Sequence, residues 1–192
     1  MKRRLSLAVA LSFAAAMTAT VPATAATSYS CQSNGFDGNL RVTGDCVINA
    51  GKTITGNVRV TNGTLTIYGT VRGTVRQTDT DGVGRHVIVS GSGRVGGSII
   101  ERGGGRLELR NVADVRGDLY EYDQGFLNVC NHKWNGTGFD VTPCGATVRG
   151  DVWSGPEPNG YPDKTYCNIY DPANVRGELR GACDPTPDDD DD

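Results

Sequence analysis

Only two histidines occur in the 192 residues, His86 and His132, and neither stands at a spacing from Cys, Asp or Glu that closes a metal cage. A zinc centre or a His-based nucleophile triad therefore has little to be built from. The six cysteines contain no C-x-x-C, which removes the usual redox motif. Lys and Arg are scattered, without the concentrated basic footprint that nucleic acid requires. Past residue 25 no apolar run is long enough to span a bilayer. Aromatic residues make up 7% of the chain, and nine of the 13 fall between Tyr120 and Tyr170. A chain this poor in catalytic side chains has to be read through its pattern.

That pattern is a repeat. The motif apolar-x-Gly-x-apolar occurs six times, at Ile54–Val58, Val71–Val75, Val95–Ile99, Val115–Leu119, Val148–Val152 and Val175–Leu179. A second alternating pair accompanies it: Cys46/Ile48, Leu65/Ile67, Val87/Val89, Leu107/Leu109, Leu127/Val129 and Cys167/Ile169. The first five pairs start at 46, 65, 87, 107 and 127, a period near 20 with two or three short period-2 strands per unit. Such a period predicts a β-solenoid: an all-β, right-handed parallel β-helix of about six rungs over 46–179, the hand following the general preference of parallel connections. Rungs about 4.8 Å apart would make a prism roughly 30 Å long. Gly56, Gly73, Gly97, Gly117, Gly150 and Gly177 hold one position of the motif. They predict either an interior too narrow for a side chain or a close approach of backbone there.

The outward positions are also in register. Arg116, Arg149 and Arg176 form one column, and Asp118, Asp151 and Glu178 the next. The expectation is an outward ladder in which opposite charges offset the stacking of like ones, aiding solubility and register. The two Arg-Gly-Asp tripeptides this creates are products of the repeat, lying mid-strand where an integrin ligand would need a protruding loop.

Two insertions interrupt the period, at about 131–143 and 154–165. The six cysteines suit an exported chain. Pairing in order, Cys31–Cys46, Cys130–Cys144 and Cys167–Cys183, would tie an N-terminal cap, the base of the first insertion and a C-terminal cap. Each closed loop would contribute about 3 kcal/mol. Lys2, Arg3 and Arg4, an apolar stretch and Ala23-Thr24-Ala25 predict a secretory signal peptide over 1–25. The domains expected are thus the signal at 1–25, one β-helix domain at 26–183 and a disordered acidic tail at 184–192. The location expected is extracellular.

The repeat style of Leu65–Val75 and Leu107–Leu119 resembles right-handed parallel β-helix proteins in general and the polymer-forming bactofilin family in particular. That resemblance implies short β-helical rungs with Val and Gly at similar places, and a scaffold role with end-to-end polymers. The signal peptide, the cysteines and the insertions depart from the family and argue against such polymers. Exported β-helix pectin lyases and polygalacturonases are longer, and their clustered groove residues find no counterpart here.

Chemistry has few candidates. Glu101 and Glu121 occupy equivalent positions in consecutive rungs, and paired acids can cleave glycosidic bonds; the plainer expectation is two solvated turn residues. Asp79 and Asp81 open a calcium-loop-like stretch whose later ligands are missing, so no metal and no cofactor is expected. Tyr120 and Trp153 share an outward column with Arg180, and Trp134 sits in the first insertion. Exposed rings suit sugar, although the insertions could fold over them. The expected function is a secreted, non-enzymatic structural or adhesive module, bacterial in style, touching cell-wall or extracellular polysaccharide or another cell-surface component. A small polysaccharide lyase or glycoside hydrolase and a self-associating scaffold are the alternatives. No nucleic acid or membrane span is expected of the mature chain, as a monomer or in weak self-association.

Overall fold

The structure is a computed structural model and describes residues 35–78, 86–122, 125–130, 133–134, 139–140, 144–155, 166–169 and 174–183. Residues 1–25, where a signal peptide is expected, together with Cys31, Asp79, Asp81 and residues 184–192, lie outside the described residues. After β1 (Leu40–Thr43) come four successive passes of three short strands each. They are β2 (Cys46–Ile48), β3 (Thr53–Ile54) and β4 (Val58–Asn62); β5 (Leu65–Ile67), β6 (Thr70–Val71) and β7 (Val75–Gln77); β8 (His86–Val89), β9 (Arg94–Val95) and β10 (Ile99–Arg102); and β11 (Arg106–Leu109), β12 (Asp114–Val115) and β13 (Leu119–Tyr122). Then β14 (Phe126–Val129) is followed by an antiparallel pair, β15 (Lys133–Trp134) and β16 (Phe139–Asp140), before β17 (Thr147–Val148) and β18 (Val152–Gly155) resume the pattern. Last come β19 (Tyr166–Ile169) and β20 (Leu179–Gly181).

Strands from successive passes pair in parallel, giving three sheets that run the length of a parallel β-solenoid. A six-stranded sheet has the order β19-β14-β11-β8-β5-β2, a five-stranded sheet β17-β12-β9-β6-β3, and a seven-stranded sheet β1-β4-β7-β10-β13-β18-β20. Isolated bridges of Phe36 to Ile54 and of Val148 to Val175 extend the five-stranded sheet at both ends. The alternating pair Leu40/Val42 lies in β1, the end strand of the seven-stranded sheet, with both side chains buried.

Matching letters stack. Leu65, Val87, Leu107 and Leu127 lie in one register column of the six-stranded sheet. Val58, Val75, Ile99, Leu119 and Val152 form another, in the seven-stranded sheet. All of these side chains are buried. Each contributes about 1.5–3 kcal/mol, against about 0–1 kcal/mol for an exposed ion pair. The interior columns therefore set the register, since a slip by one residue would turn every one of them outward.

The glycine column is also real, and the structure decides its cause. Gly73, Gly97, Gly117 and Gly150 each donate their N–H to the carbonyl of the glycine below, at 3.2, 3.0, 3.2 and 3.3 Å. They are only half-buried, at the corner between the five- and seven-stranded sheets, so a narrow interior is not the reason for them. A Cβ on Gly73 would lie 2.4 Å from Asn57 Oδ1 and 2.6 Å from the Gly56 oxygen; on Gly150 it would lie 2.1 Å from Asp118 Oδ1. Backbone and a corner side chain of the neighbouring pass already fill that space. Gly63 is needed on two counts: its φ of 80° is left-handed, and a Cβ there would lie 2.6 Å from the Gly44 oxygen.

Cys130–Cys144 and Cys167–Cys183 are disulfides. The first closes the base of the hairpin insertion; the second links β19 to the turn after β20. Cys46 is disulfide-bonded as well.

Candidate functional site

Outward side chains of the seven-stranded sheet form two columns along the solenoid axis. Register pairing places Arg41, Arg59, Arg76, Ile100, Tyr120, Trp153 and Arg180 in one. The second includes Arg102, Tyr122 and Gly155. Period-2 alternation along each strand puts both on the same face, because the intervening residues point into the core.

Three rings on this face touch. Tyr120 and Tyr122 are stacked, with centroids 6.1 Å apart and 18° between planes. Tyr122 and Trp153 are 4.7 Å apart at 45°. The Arg102 guanidinium lies over the Tyr122 ring at 4.9 Å. A Cβ on Gly155 would sit 3.1 Å from Trp153 Cζ2, so the missing side chain at that position leaves the indole its room. All three rings are half-buried, neither sealed in nor standing free. Of the segments expected to cover them, 156–165 lies outside the described residues, and only the backbone of Trp134 is described, as part of β15.

Sequence reasoning found Tyr120, Trp153 and Arg180 and missed Tyr122 and Arg102. The signal was present: Tyr122 follows Tyr120 by two residues, which on a strand means the same face.

Charge is arranged unevenly. Tyr120 donates its hydroxyl to Asp118 Oδ2 at 3.2 Å. Burial, with the Asp118 carboxylate next in importance, pushes that phenol above its ordinary value. Arg180 is held by Glu178, with Nε 2.9 Å from Oε2, and lies 3.8 Å from Asp151. These contacts, the hydrogen bond to Glu178 first, push the guanidinium up. Among the described residues Arg41, Arg59 and Arg76, further down the same column, make no ion pair.

The acidic column of the expected ladder links successive passes through backbone N–H groups. Asp118 Oδ1 accepts the Asp151 backbone N–H at 3.0 Å, and Asp151 Oδ1 accepts that of Glu178 at 2.9 Å. Lower down, Asn39, Asn57 and Ser98 do the same for Asn57, Thr74 and Asp118, at 2.8, 2.8 and 3.1 Å. The corner column thus caps backbone donors. Arg149 pairs instead with Asp114, through two contacts of 3.3 Å. Arg116 and Arg176 are exposed and form no ion pair among the described residues.

Glu101 and Glu121 are a correction. Expected as solvated turn residues, they are fully buried and in register with each other. The strands β10 and β13 run two residues past their apolar start, so alternation carries both carboxylates inward. Glu101 Oε1 accepts the Gly105 N–H at 3.1 Å, and Glu121 Oε2 accepts the Ser154 hydroxyl at 2.7 Å. General acid–base work on a polymer needs carboxyl oxygens that the polymer can touch, and these are enclosed.

Among the described residues no group of three or more His, Cys, Asp or Glu could hold a metal ion, and no helix is long and apolar enough to cross a membrane. No protein-family model, no curated protein and no solved structure matches this chain. The site has to be read from its own geometry.

Proposed function

We propose that the chain is a secreted, non-enzymatic structural or adhesive module whose seven-stranded sheet binds cell-wall or extracellular polysaccharide. In this reading it is a right-handed coil of about six rungs, closed at both ends by disulfide-tied caps. The observation that carries it is the contact set of Tyr120, Tyr122 and Trp153, three half-exposed rings on one outward face. Rings of this kind offer an apolar body with a polar tip, which suits the alternating CH and OH faces of a sugar. Tyr120 and Trp153 sit on adjacent strands, about 4.8 Å apart along the axis, so the platform runs in the direction a polymer would lie. A solenoid holds such a platform rigid without any lid or cofactor. Export rests on the signal at residues 1–25.

The test is a glycan-binding screen of residues 26–192 beside the Trp153→Ala and Tyr122→Ala variants, with circular dichroism to show that each still folds. Binding that is lost in both variants supports the face. Binding that both variants retain, or none to any glycan, sinks it.

A further inference from the structure

The ion-paired arginines among the described residues lie in one half of the molecule, although Arg116 and Arg176 of that half stay unpaired. Arg106, Arg110, Arg149 and Arg180, all beyond β10, pair with Glu108, Asp114, Asp151 or Glu178. From Cys46 to Ile100 the described residues include no acidic side chain, while Lys52, Arg59, Arg72, Arg76 and Arg94 are all present. Asp79 and Asp81 belong to the undescribed stretch between β7 and β8.

A groove lies on this basic half, on the same face as the aromatic rings. It is lined by Asn57, Val58, Arg59, Thr74, Arg76 and Thr78. Its polar side chains are donors. Arg59 and Arg76 are paired in register on adjacent strands and exposed, so two guanidinium groups stand about 4.8 Å apart at their backbones. The carbonyl oxygen of the Asn57 side chain is committed to the Thr74 N–H at 2.8 Å, which leaves that side chain its amide hydrogens to offer. Thr78 Oγ1, at the far end of β7, is buried and has no hydrogen-bond partner among the described residues. Thr74 adds a second hydroxyl. Among the described residues no carboxylate lines the groove.

We infer that this groove is an oxyanion site for a sulfate or phosphate ester carried on the polysaccharide that the aromatic face binds. The inference rests on the polysaccharide reading and names the chemical class of its ligand. A guanidinium fork suits any oxyanion. The distinguishing feature is that Arg59 and Arg76 come from two adjacent strands and Asn57 and Thr74 from the sheet corner, out of one plane. A tetrahedral ester, with terminal oxygens pointing several ways, can use them together, whereas a planar carboxylate can meet only the fork. Arg180, four strand levels from Arg76, is already neutralised by Glu178 and takes no part.

The experiment compares binding of the full chain to dextran, carboxymethyl dextran, dextran sulfate and dextran phosphate, which share one backbone, and to poly-dT as a charge control. The expected result is binding to the sulfate or phosphate form at least about tenfold tighter than to the carboxymethyl form, falling about tenfold in Arg59→Gln/Arg76→Gln. Thr74→Val should lower it further, and Arg149→Gln, which lies outside this face and pairs with Asp114, should leave it unchanged. Both arginines are exposed, so the double variant should keep the wild-type unfolding midpoint. Whichever ester binds more tightly identifies the substituent. Equal affinity for carboxymethyl dextran or for poly-dT would overturn the inference in favour of unselective charge attraction. Binding of neutral glycans that depends on Trp153 but not on Arg59 and Arg76 would also overturn it, while leaving the polysaccharide face standing. Loss of all glycan binding, neutral and charged, would remove both.

Discussion

The carboxylate of Asp118 accepts the backbone N–H of Asp151 at 3.0 Å, reaching across from one pass of the chain to the next. The same carboxylate receives the Tyr120 hydroxyl through its other oxygen. One side chain thus joins the corner ladder to the aromatic face.

Replacing Asp118 by Ala leaves the Asp151 N–H half-buried without its acceptor, at a cost of about 1–2 kcal/mol. Asn keeps an oxygen for that bond and should lose less than half as much. Urea unfolding of the two variants checks this; equal losses would mean that charge, not acceptance, is what Asp118 supplies.

Two glycines separate crowding from backbone freedom. Gly150→Ala places a methyl 2.1 Å from Asp118 Oδ1 and 2.8 Å from the Gly117 oxygen. It should destabilise by about 1–3 kcal/mol, as overpacking does. Gly44 has nothing within 4 Å of a built Cβ, and its φ is not left-handed. Gly44→Ala should therefore stay within about 0.5 kcal/mol of the parent. Denaturant midpoints give both numbers.

Glu121→Gln retains an oxygen that can accept the Ser154 hydroxyl and removes an ionisable group from the interior. Its stability at pH 7 should stay above that of Glu121→Ala, because the acceptor for the Ser154 hydroxyl is kept. Glu121→Ala should lose about 2–4 kcal/mol through the cavity and the unpaired hydroxyl. Glycan binding should survive the Gln change; its disappearance would reinstate the carboxyl pair as a functional site.

The raised phenol of Tyr120 gives a pH dependence of known sign. The folded state holds that proton more tightly than the unfolded chain does. The resulting stability is complete below the ordinary tyrosine value, about pH 10, and is lost as pH rises through the folded value. Tyr120→Phe should flatten this part of the alkaline fall measured by urea unfolding between pH 8 and 11. Identical slopes in both proteins would show that Tyr120 contributes none of it.

The parallel stack was legible because its signal is arithmetical: Leu65, Val87, Leu107 and Leu127 recur at nearly fixed intervals and become one buried column. The disulfides Cys130–Cys144 and Cys167–Cys183 were legible from loop closure along the same period. Glu101 and Glu121 were misread because polar residues at a strand end suggest a turn. Nothing in the letters says that the strand continues one more inward step, to Ser154 on one side of Glu121 and Glu101 on the other. The corner column was seen as alternating charge because Asp118 and Asp151 stand near Arg116 and Arg149. Their actual partners are backbone N–H groups, which carry no letter of their own. The donor-lined groove was hidden for a related reason, since Thr74 and Asn57 are unremarkable singly and meet only at the corner.

The hairpin of β15 and β16 leaves its parent strands undisturbed: Phe126 still faces Arg106, and Thr147 still faces Asp114. Extra chain extruded at that corner costs the stack no pairing, and Cys130–Cys144 fixes the distance between the points where it departs and returns. Unrelated peptides could be spliced between those cysteines and displayed from a stem whose seven-stranded sheet stays as it is.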